Sequence, residues 1–296
     1  MDETHFRREH RRALVDDTIS GASQLARQAL DSLIEYTDIC SAGDIDGLRA
    51  RLLEFAEELQ FARPSMAPVY NLVQRWADQV ERLEADDVAT FRQHAATAAQ
   101  ELSDASIHAL EQAAGAAAGL ITEGSVVITH SFSSTVRDAF RQLQGRTARA
   151  IVSESRPGME GRDQARYLAG MDVDVTFITD AQLGLFSGHA SLALVGADTV
   201  LADGSVVNKA GTYLLALAAR DHGVPFYVCC ESFKHAPFHP RGFELDEMSA
   251  HELEAPRHKR ITARNVLFDI TPAKLVDGWI TEKGVHANKR AADPER

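Results

Sequence analysis

The chain has 296 residues, of which 45% are hydrophobic and 25% charged, as in an ordinary globular protein of one or two domains. Its 43 acidic residues outnumber 31 basic ones and give a net charge of −12, which argues against a nucleic-acid binder and predicts no direct nucleic-acid contact. No apolar run reaches the ~18 residues of a membrane span, so no membrane contact is predicted.

The first residues are charged throughout, unlike a secretory signal peptide. The three cysteines, two of them adjacent at Cys229 and Cys230, form no disulfide framework, and no cysteine or histidine spacing suits a metal. These features predict a cytoplasmic protein without a bound metal.

Residues 1–118 place apolar side chains at i, i+3, i+4 and i+7, which predicts a bundle of about four helices. Breaks fall at residues 41–44, where Asp44 is positioned to cap the next helix, and at residues 62–65. The predicted helical segments are ISGASQLARQALDSLIEYTD, IDGLRARLLEFAEELQFA, PVYNLVQRWADQVERLEA and DVATFRQHAATAAQELSDASIHALEQAAGAAAGL.

From residue 119 onward, short β-branched runs alternate with helical stretches. Apolar strands separated by helices indicate a parallel sheet covered on both faces. We therefore predict an α/β fold: an N-terminal helical bundle (1–118) followed by a Rossmann-like, doubly wound parallel-sheet domain (119–296). No GxGxxG follows the first strand, so no dinucleotide and no other cofactor is expected. Strands are predicted at 125–130, 149–154, 174–180, 191–198, 225–230, 265–271 and 277–282, and helices within 134–143, 161–171 and 208–223.

Ligands of doubly wound sheets bind outside the carboxyl ends of the strands. The segment GADTVLADGSVVNKAGTY carries the strongest signal of this kind. Asp198 closes a strand, an Asp-Gly pair forms a tight turn, and a helix is predicted to start near Lys209. Asn208 would then be the N-cap, and the first amides of the helix would favour an anion. Other residues that follow predicted strands are His130, Ser131, Arg156, Asp180 and residues 231–234.

Each of these residues also has an ordinary structural interpretation. Asp198 can satisfy main-chain amides, Asn208 can act only as a cap, and Arg156 can form a surface ion pair. For Ser131 the residues alone leave three roles open: chemistry, ligand binding, or capping of the next helix. No GxSxG motif is present, so serine-hydrolase chemistry is not supported.

Together, these segments resemble the family of translation initiation factor 2B alpha, beta and delta subunits, which also contains ribose-1,5-bisphosphate isomerase and methylthioribose-1-phosphate isomerase. The resemblance implies a helical domain on a Rossmann-like domain, a sugar-phosphate pocket between them, and dimers built through the C-terminal domain. The motifs that carry it are THS, SESRPGMEGR, ITDA, GADTVLADGSVVNKAGT, CCESFKH and FDITPAKLVDGWITEKGV, with weaker matches at ISGASQLARQAL and ARPS.

The family's isomerases act on the sugar with a cysteine from the first loop and an aspartate at the fourth strand. Asp198 stands at the aspartate's position, whereas Ser131 stands at the cysteine's. A thiol with a pKa of ~8.5 can share a proton near neutrality, and a hydroxyl cannot do so without a dedicated base. The chain keeps other isomerase features, namely Arg63-Pro64, Arg156-Pro157, Asn208-Lys209 and Asp269, while Ser20-Gly21-Ala22 replaces an RGA motif.

The resemblance therefore implies a regulatory, homo-oligomeric initiation factor 2B-like protein that binds a phosphorylated sugar or nucleotide without efficient turnover. An aldose–ketose sugar-phosphate isomerase with Asp198 and Ser131 as catalytic residues is the alternative, and a purely structural assembly subunit is a third. A translation factor is left open as a partner. In the main interpretation Arg63, Arg156 and Lys209 bind phosphate, Asp198 and Asn208 bind sugar hydroxyls, Ser131 lines the site, and Ser20, Gly21 and Ala22 complete the binding residues.

Overall fold

The computed structural model describes residues 2–17, 19–240 and 243–288, and these ranges include every predicted site residue. The chain divides into two compact units, Met1–His108 and Ala109–Arg296. The predicted domain boundary after residue 118 remains a prediction. No α-helix in the described ranges has the length and hydropathy that a bilayer span requires.

The first unit is built from helices, as predicted. Asp44 caps α3, since its Oδ1 accepts a hydrogen bond from the Gly47 N–H at 2.7 Å. One helix more than the predicted four is present in the described ranges, because α1 buries only Phe6 and Leu14 and its charged sequence hides this periodicity. The helices are α1 (Glu3–Asp16), α2 (Ala22–Ile39), α3 (Ile45–Gln60), α4 (Ala67–Arg82) and α5 (Val88–Ala118), which continues into the second unit.

The second unit contains a seven-stranded sheet in the order β12-β11-β7-β4-β1-β2-β3. Neighbouring strands are parallel except for the β11–β12 pair at one edge. Because the strand order reverses between β1 and β4, this is the predicted doubly wound sheet. The strands are β1 (Ser125–Thr129), β2 (Ala148–Ser153), β3 (Asp174–Ile178), β4 (Leu192–Val195), β7 (Phe226–Cys229), β11 (Gly278–Thr281) and β12 (Gly284–Ala287).

Helices cover both faces of this sheet. Consecutive residues of β1 face opposite cores, with Val127 in one cluster and Ile128 in the other. The Val127 cluster includes the end of α5, α6 (Ser134–Arg141) and α7 (Gly161–Ala169). The Ile128 cluster includes α8 (Leu183–Ser187) and α9 (Thr212–Asp221).

Two smaller antiparallel sheets add to the second unit. The predicted strand at 265–271 does not join the large sheet but divides between them. The predicted Asp-Gly turn is confirmed: Gly204 has φ 85° and the Leu201 N–H donates to the Ser205 carbonyl at 2.8 Å. The sheets are β10-β6-β5 and β8-β9, from β5 (Thr199–Val200), β6 (Val206–Lys209), β8 (Glu247–Met248), β9 (Asn265–Val266) and β10 (Phe268–Thr271).

The predicted helix start near Lys209 and the N-cap role of Asn208 are wrong. Both residues belong to β6, where Asn208 pairs with Asp269 of β10. The helix α9 begins at Thr212, and its N-cap is Gly211 at φ 114°. The β-branched residues before Asn208 favour a strand, and pairing with β10 extends that strand through Lys209.

Candidate functional site

The loops after β1 and β4 lie side by side at the point where the strand order reverses. The parallel register pairs Val127 with Leu192 and Ile128 with Ala193. The loops then touch, since a Cβ added at Gly196 would lie 2.6 Å from the Ser133 Oγ. This carboxyl edge of the sheet is where doubly wound proteins bind ligands.

His130 is a buried imidazole with a partner on each ring nitrogen. Nε2 lies 2.9 Å from the Ala210 carbonyl oxygen, so Nε2 carries the proton, and Nδ1 accepts from the Ser153 hydroxyl at 2.6 Å. Burial lowers the pKa of His130, opposed by the Asp180 carboxylate 3.7 Å from Nδ1. The neutral ring therefore ties the end of β1 to β2 and to the turn before α9.

Ser131 does not cap the next helix. Ser133 is the N-cap of α6, since its Oγ accepts from the Val136 N–H at 3.2 Å. Ser131 has φ 65°, and its N–H donates to the Ser155 Oγ at 2.7 Å. No described residue hydrogen-bonds its hydroxyl. Capping is thus excluded, and ligand binding and chemistry stay predictions.

The loop after β2 presents Arg156 at the same edge. Asp180 holds this loop, because its two carboxylate oxygens accept from the N–H groups of Ser155 at 2.8 Å and Arg156 at 2.7 Å. Ser155 also contacts Ser131, so Arg156 and Ser131 are brought together by one shared neighbour. The Arg156 side chain is exposed and forms no ion pair within the described ranges.

Lys209 is buried at the end of β6 and forms an ion pair with Glu160, with 2.6 Å between Nζ and Oε1. Asn208 supports the following turn: its Nδ2 donates to the Thr212 Oγ1 at 2.9 Å. The Thr212 hydroxyl donates in turn to the Lys209 carbonyl at 2.7 Å. Both predicted residues therefore lie at the site edge, each with a protein partner.

Asp198 lies in the loop between β4 and β5, where its N–H donates to the Val207 carbonyl at 2.9 Å. It is linked electrostatically to the buried Lys234, whose Nζ is 3.4 Å from the Glu231 Oε2. Burial acts to lower the pKa of Lys234, but the Glu231 and Asp198 carboxylates prevail and raise it. Lys234 is therefore charged.

Asp269 takes the position at α9 where we expected a bound anion. Its carboxylate accepts from the Gly211 N–H at 2.7 Å and the Tyr213 N–H at 3.1 Å. Burial raises the pKa of Asp269 to about 6, although these two bonds act in the opposite direction. The first amides of α9 are thus satisfied within the protein.

The other predicted binding residues lie in the first unit and are gathered around Asp17. The Arg63 Nη1 donates to the Asp17 carbonyl at 2.6 Å. The Ser20 N–H donates to the Asp17 carboxylate at 2.8 Å. Gly21 is the N-cap of α2 and Ala22 its first residue, and no side chain caps this helix.

Four side chains of the second unit were not singled out as binding residues from the sequence. Three of them were noted in the sequence as residues that follow predicted strands but were given no binding role, and the same signal could have found the fourth, Glu160, which follows β2. Their charge partners depend on how separate loops approach one another, and the sequence does not reveal this. They are Glu160, Asp180, Glu231 and Lys234.

The fold and this edge define a doubly wound α/β protein with charged and hydroxyl side chains gathered where the strand order reverses. The chain belongs to the initiation factor 2 subunit family, whose family model matches residues 18–288. It is 40% identical over 276 residues to a Pyrococcus horikoshii protein named translation initiation factor eIF-2B subunit 2-like, covering 93% of this chain and 94% of that protein. It is 29% identical over 296 residues to the ribose 1,5-bisphosphate isomerase of Methanocaldococcus jannaschii, covering 96% and 92%.

Solved structures show the same fold. The Pyrococcus horikoshii OT3 translation initiation factor eIF-2B superposes with a TM-score of 0.83 at 36% identity, covering 97% of this chain and 98% of that one. A chain of the tetrameric eIF2B-beta2-delta2 complex from C. thermophilum superposes with a TM-score of 0.75 at 19% identity, covering 98% and 93%. The latter likeness concerns the fold alone.

Proposed function

We propose that this chain is an initiation factor 2B-like regulatory protein that binds a phosphorylated sugar or nucleotide at the carboxyl edge of the large sheet, without efficient turnover. The observation that carries the proposal is the joint anchoring of Ser131 and Arg156 through Ser155 and Asp180. This anchoring holds the Ser131 residue, with its hydroxyl, and the exposed Arg156 at the same carboxyl edge of the large sheet.

The charges at this edge suit a phosphate. A guanidinium offers paired donors that match phosphate oxygens, and the Arg156 main chain is held while its side chain extends into solvent. Lys209 supplies a second cation from the end of β6. In a protein with net charge −12, such a site is needed to attract an anion.

The surroundings of Ser131 argue against efficient isomerisation. The neighbouring imidazole of His130 uses both ring nitrogens in structural hydrogen bonds. His130 is therefore not available as a base for Ser131, and losing one acid–base group commonly costs ~10²–10⁴ in rate. Asp198 alone can move a proton from the sugar, which keeps isomerase activity as the second candidate.

The proposal includes self-association of the chain. The outward face of α9 carries Tyr213, Leu214 and Leu217, and Leu214 is 60% exposed. Contiguous exposed apolar side chains commonly mark protein–protein contacts. Together with the dimers that the family resemblance implies, this apolar face leads us to expect a homodimer or a larger homo-oligomer. Light scattering on the purified protein measures this directly.

The decisive test is proton NMR of ribose 1,5-bisphosphate incubated with the purified protein. Saturation transfer from protein to sugar without ribulose 1,5-bisphosphate is the expected result. Conversion at an enzyme-like rate would replace this proposal with the isomerase, and absence of any interaction would exclude this ligand.

The variant Ser131→Cys sharpens the assignment. Because a thiol restores the group that the resemblance places at this position, we expect slow isomerisation in the variant with ligand binding unchanged. Ser133→Cys is the matched control, since Ser133 lies in the same loop but caps α6. Activity in neither variant, with binding intact, would contradict the match of residue 131 to the catalytic cysteine of the family's isomerases.

A further inference from the structure

Glu160 is a charged residue of this site to which the sequence assigned no role. It occupies the N-cap position of α7, yet its side chain makes no capping bond. A carboxylate at a helix N-terminus ordinarily turns to the free amides of that helix. Here it turns to Lys209 instead, with 2.6 Å between Oε1 and Nζ.

Two glycines build this orientation into the loop. A Cβ at Gly158 would lie 2.5 Å from the Glu160 Oε1, so glycine leaves room for the carboxylate to fold back. A Cβ at Gly161 would overlap the carbonyl oxygen of Ser153, so glycine lets the start of α7 pack against the end of β2. The backbone path that these two glycines permit therefore places the Glu160 carboxylate beside Lys209, at the end of β6.

The ion pair is only half satisfied. Lys209 is 4% exposed, and the second oxygen of Glu160, Oε2, is buried with no hydrogen-bond partner within the described ranges. Burying a carboxylate oxygen without a hydrogen-bond donor costs free energy. The attraction within a buried ion pair often fails to offset the cost of removing both charges from water, so this pair contributes little net stability. The arrangement thus resembles a contact that another anion can replace.

We infer that Glu160 competes with the ligand for Lys209. The Glu160 carboxylate pairs with the Lys209 ammonium group until a phosphate dianion displaces it. This inference rests on the proposed function. A phosphate carries up to two charges and three acceptor oxygens, against one charge on the carboxylate, so it competes where a monoanion does not. Glu160 then sets both the affinity of the site and its preference for phosphorylated ligands.

The test is isothermal titration of ribose 5-phosphate and of inorganic phosphate into the full-length protein and into Glu160→Gln. Removing the competing charge should tighten binding of both probes about tenfold, because a unit charge a few ångströms away in a partly buried site has at least that effect. Asp163→Asn is the matched control: it removes the same charge from α7, where the exposed Asp163 pairs with Arg166. Its affinity should stay within about twofold of the wild type.

Unchanged or weaker binding in Glu160→Gln, with a wild type that binds, would overturn the inference and leave the proposed function standing; Glu160 would then orient Lys209. Binding in the variant but not in the wild type would support it. Absence of binding in every protein would remove both proposals. Should Glu160→Gln fail to fold, Glu160→Asp keeps the charge but withdraws it by one methylene, and intermediate tightening is expected.

Discussion

Asp269 is a residue whose position at the N-terminus of α9 gives the protein a specific dependence on pH. Burial raises its pKa to about 6, above the ~3.9 of an unfolded aspartate. Its stabilising contribution is therefore complete below the unfolded pKa and is lost as pH rises through about 6. As pH rises from ~3.9 to about 6, the unfolded state loses the Asp269 proton while the folded state keeps it, so the free energy of unfolding falls.

The variant Asp269→Asn tests this dependence. An asparagine oxygen can still accept from the Gly211 N–H, but it does not ionise. Between pH 4 and pH 7 the free energy of unfolding of the variant, relative to the wild type, should rise by about 1–3 kcal/mol. Urea denaturation at the two pH values measures it. A difference that does not change with pH would show that the Asp269 carboxyl ionises normally in the folded protein.

Residue types and strand-end positions could be predicted here, but charge partners could not. Ser131 and Arg156 both follow strands, and the structure holds them at one edge. The ion pair between Glu160 and Lys209 joins residues 49 positions apart, and a single sequence carries no signal for such a contact. Asn208 was assigned to a helix cap because its pairing with β10 is equally non-local.

At the scale of elements, the contact between α7 and β2 fixes the loop that carries Arg156 and Glu160. Gly161→Ala would drive a methyl group into the Ser153 carbonyl oxygen, and overpacking of this kind costs about 2 kcal/mol or more. Gly184→Ala is the control, since a Cβ there meets no atom within 4 Å and alanine favours a helix by up to ~1 kcal/mol.

Urea unfolding of both variants checks this prediction. A Gly161→Ala protein as stable as the wild type would mean that α7 can shift away from β2 at little cost. The phosphate affinity of that variant should then also be examined, since the same shift would move Glu160 away from Lys209.

Elements with strong local patterns were predicted well, and those defined by pairing were not. The strands β1 and β3 and the helices α6 and α7 fall within predicted segments, and β2 begins one residue before its predicted segment, because apolar runs and helical periodicity are local. Strand β12 was missed: all its residues but the half-buried Gly284 are exposed, and the strand is defined by its pairing with β11. The short helix α8 was missed because five residues hold too little periodicity.

At the scale of the whole molecule, the end of α5 is part of the core of the second unit. Ala113, Ala114, Ala117 and Ala118 are almost fully buried and lie in one cluster with Val127 and other residues of the large sheet. The Cys229 thiol also donates to the Ala113 carbonyl at 3.4 Å. Helical periodicity runs without a break through α5, so no sequence pattern divides this helix before residue 118.

Two fragments test where the second unit begins. Residues 109–296 retain the buried alanines of α5, so we expect a soluble fragment with a cooperative urea transition. Residues 119–296 lose them and leave the apolar face of the sheet that they cover exposed to water, so we expect an aggregating or non-cooperative fragment. Circular dichroism and dispersed amide NMR signals distinguish the two. Equal stability of both fragments would place the boundary after residue 118 and show that the α5 alanines contribute little to this core.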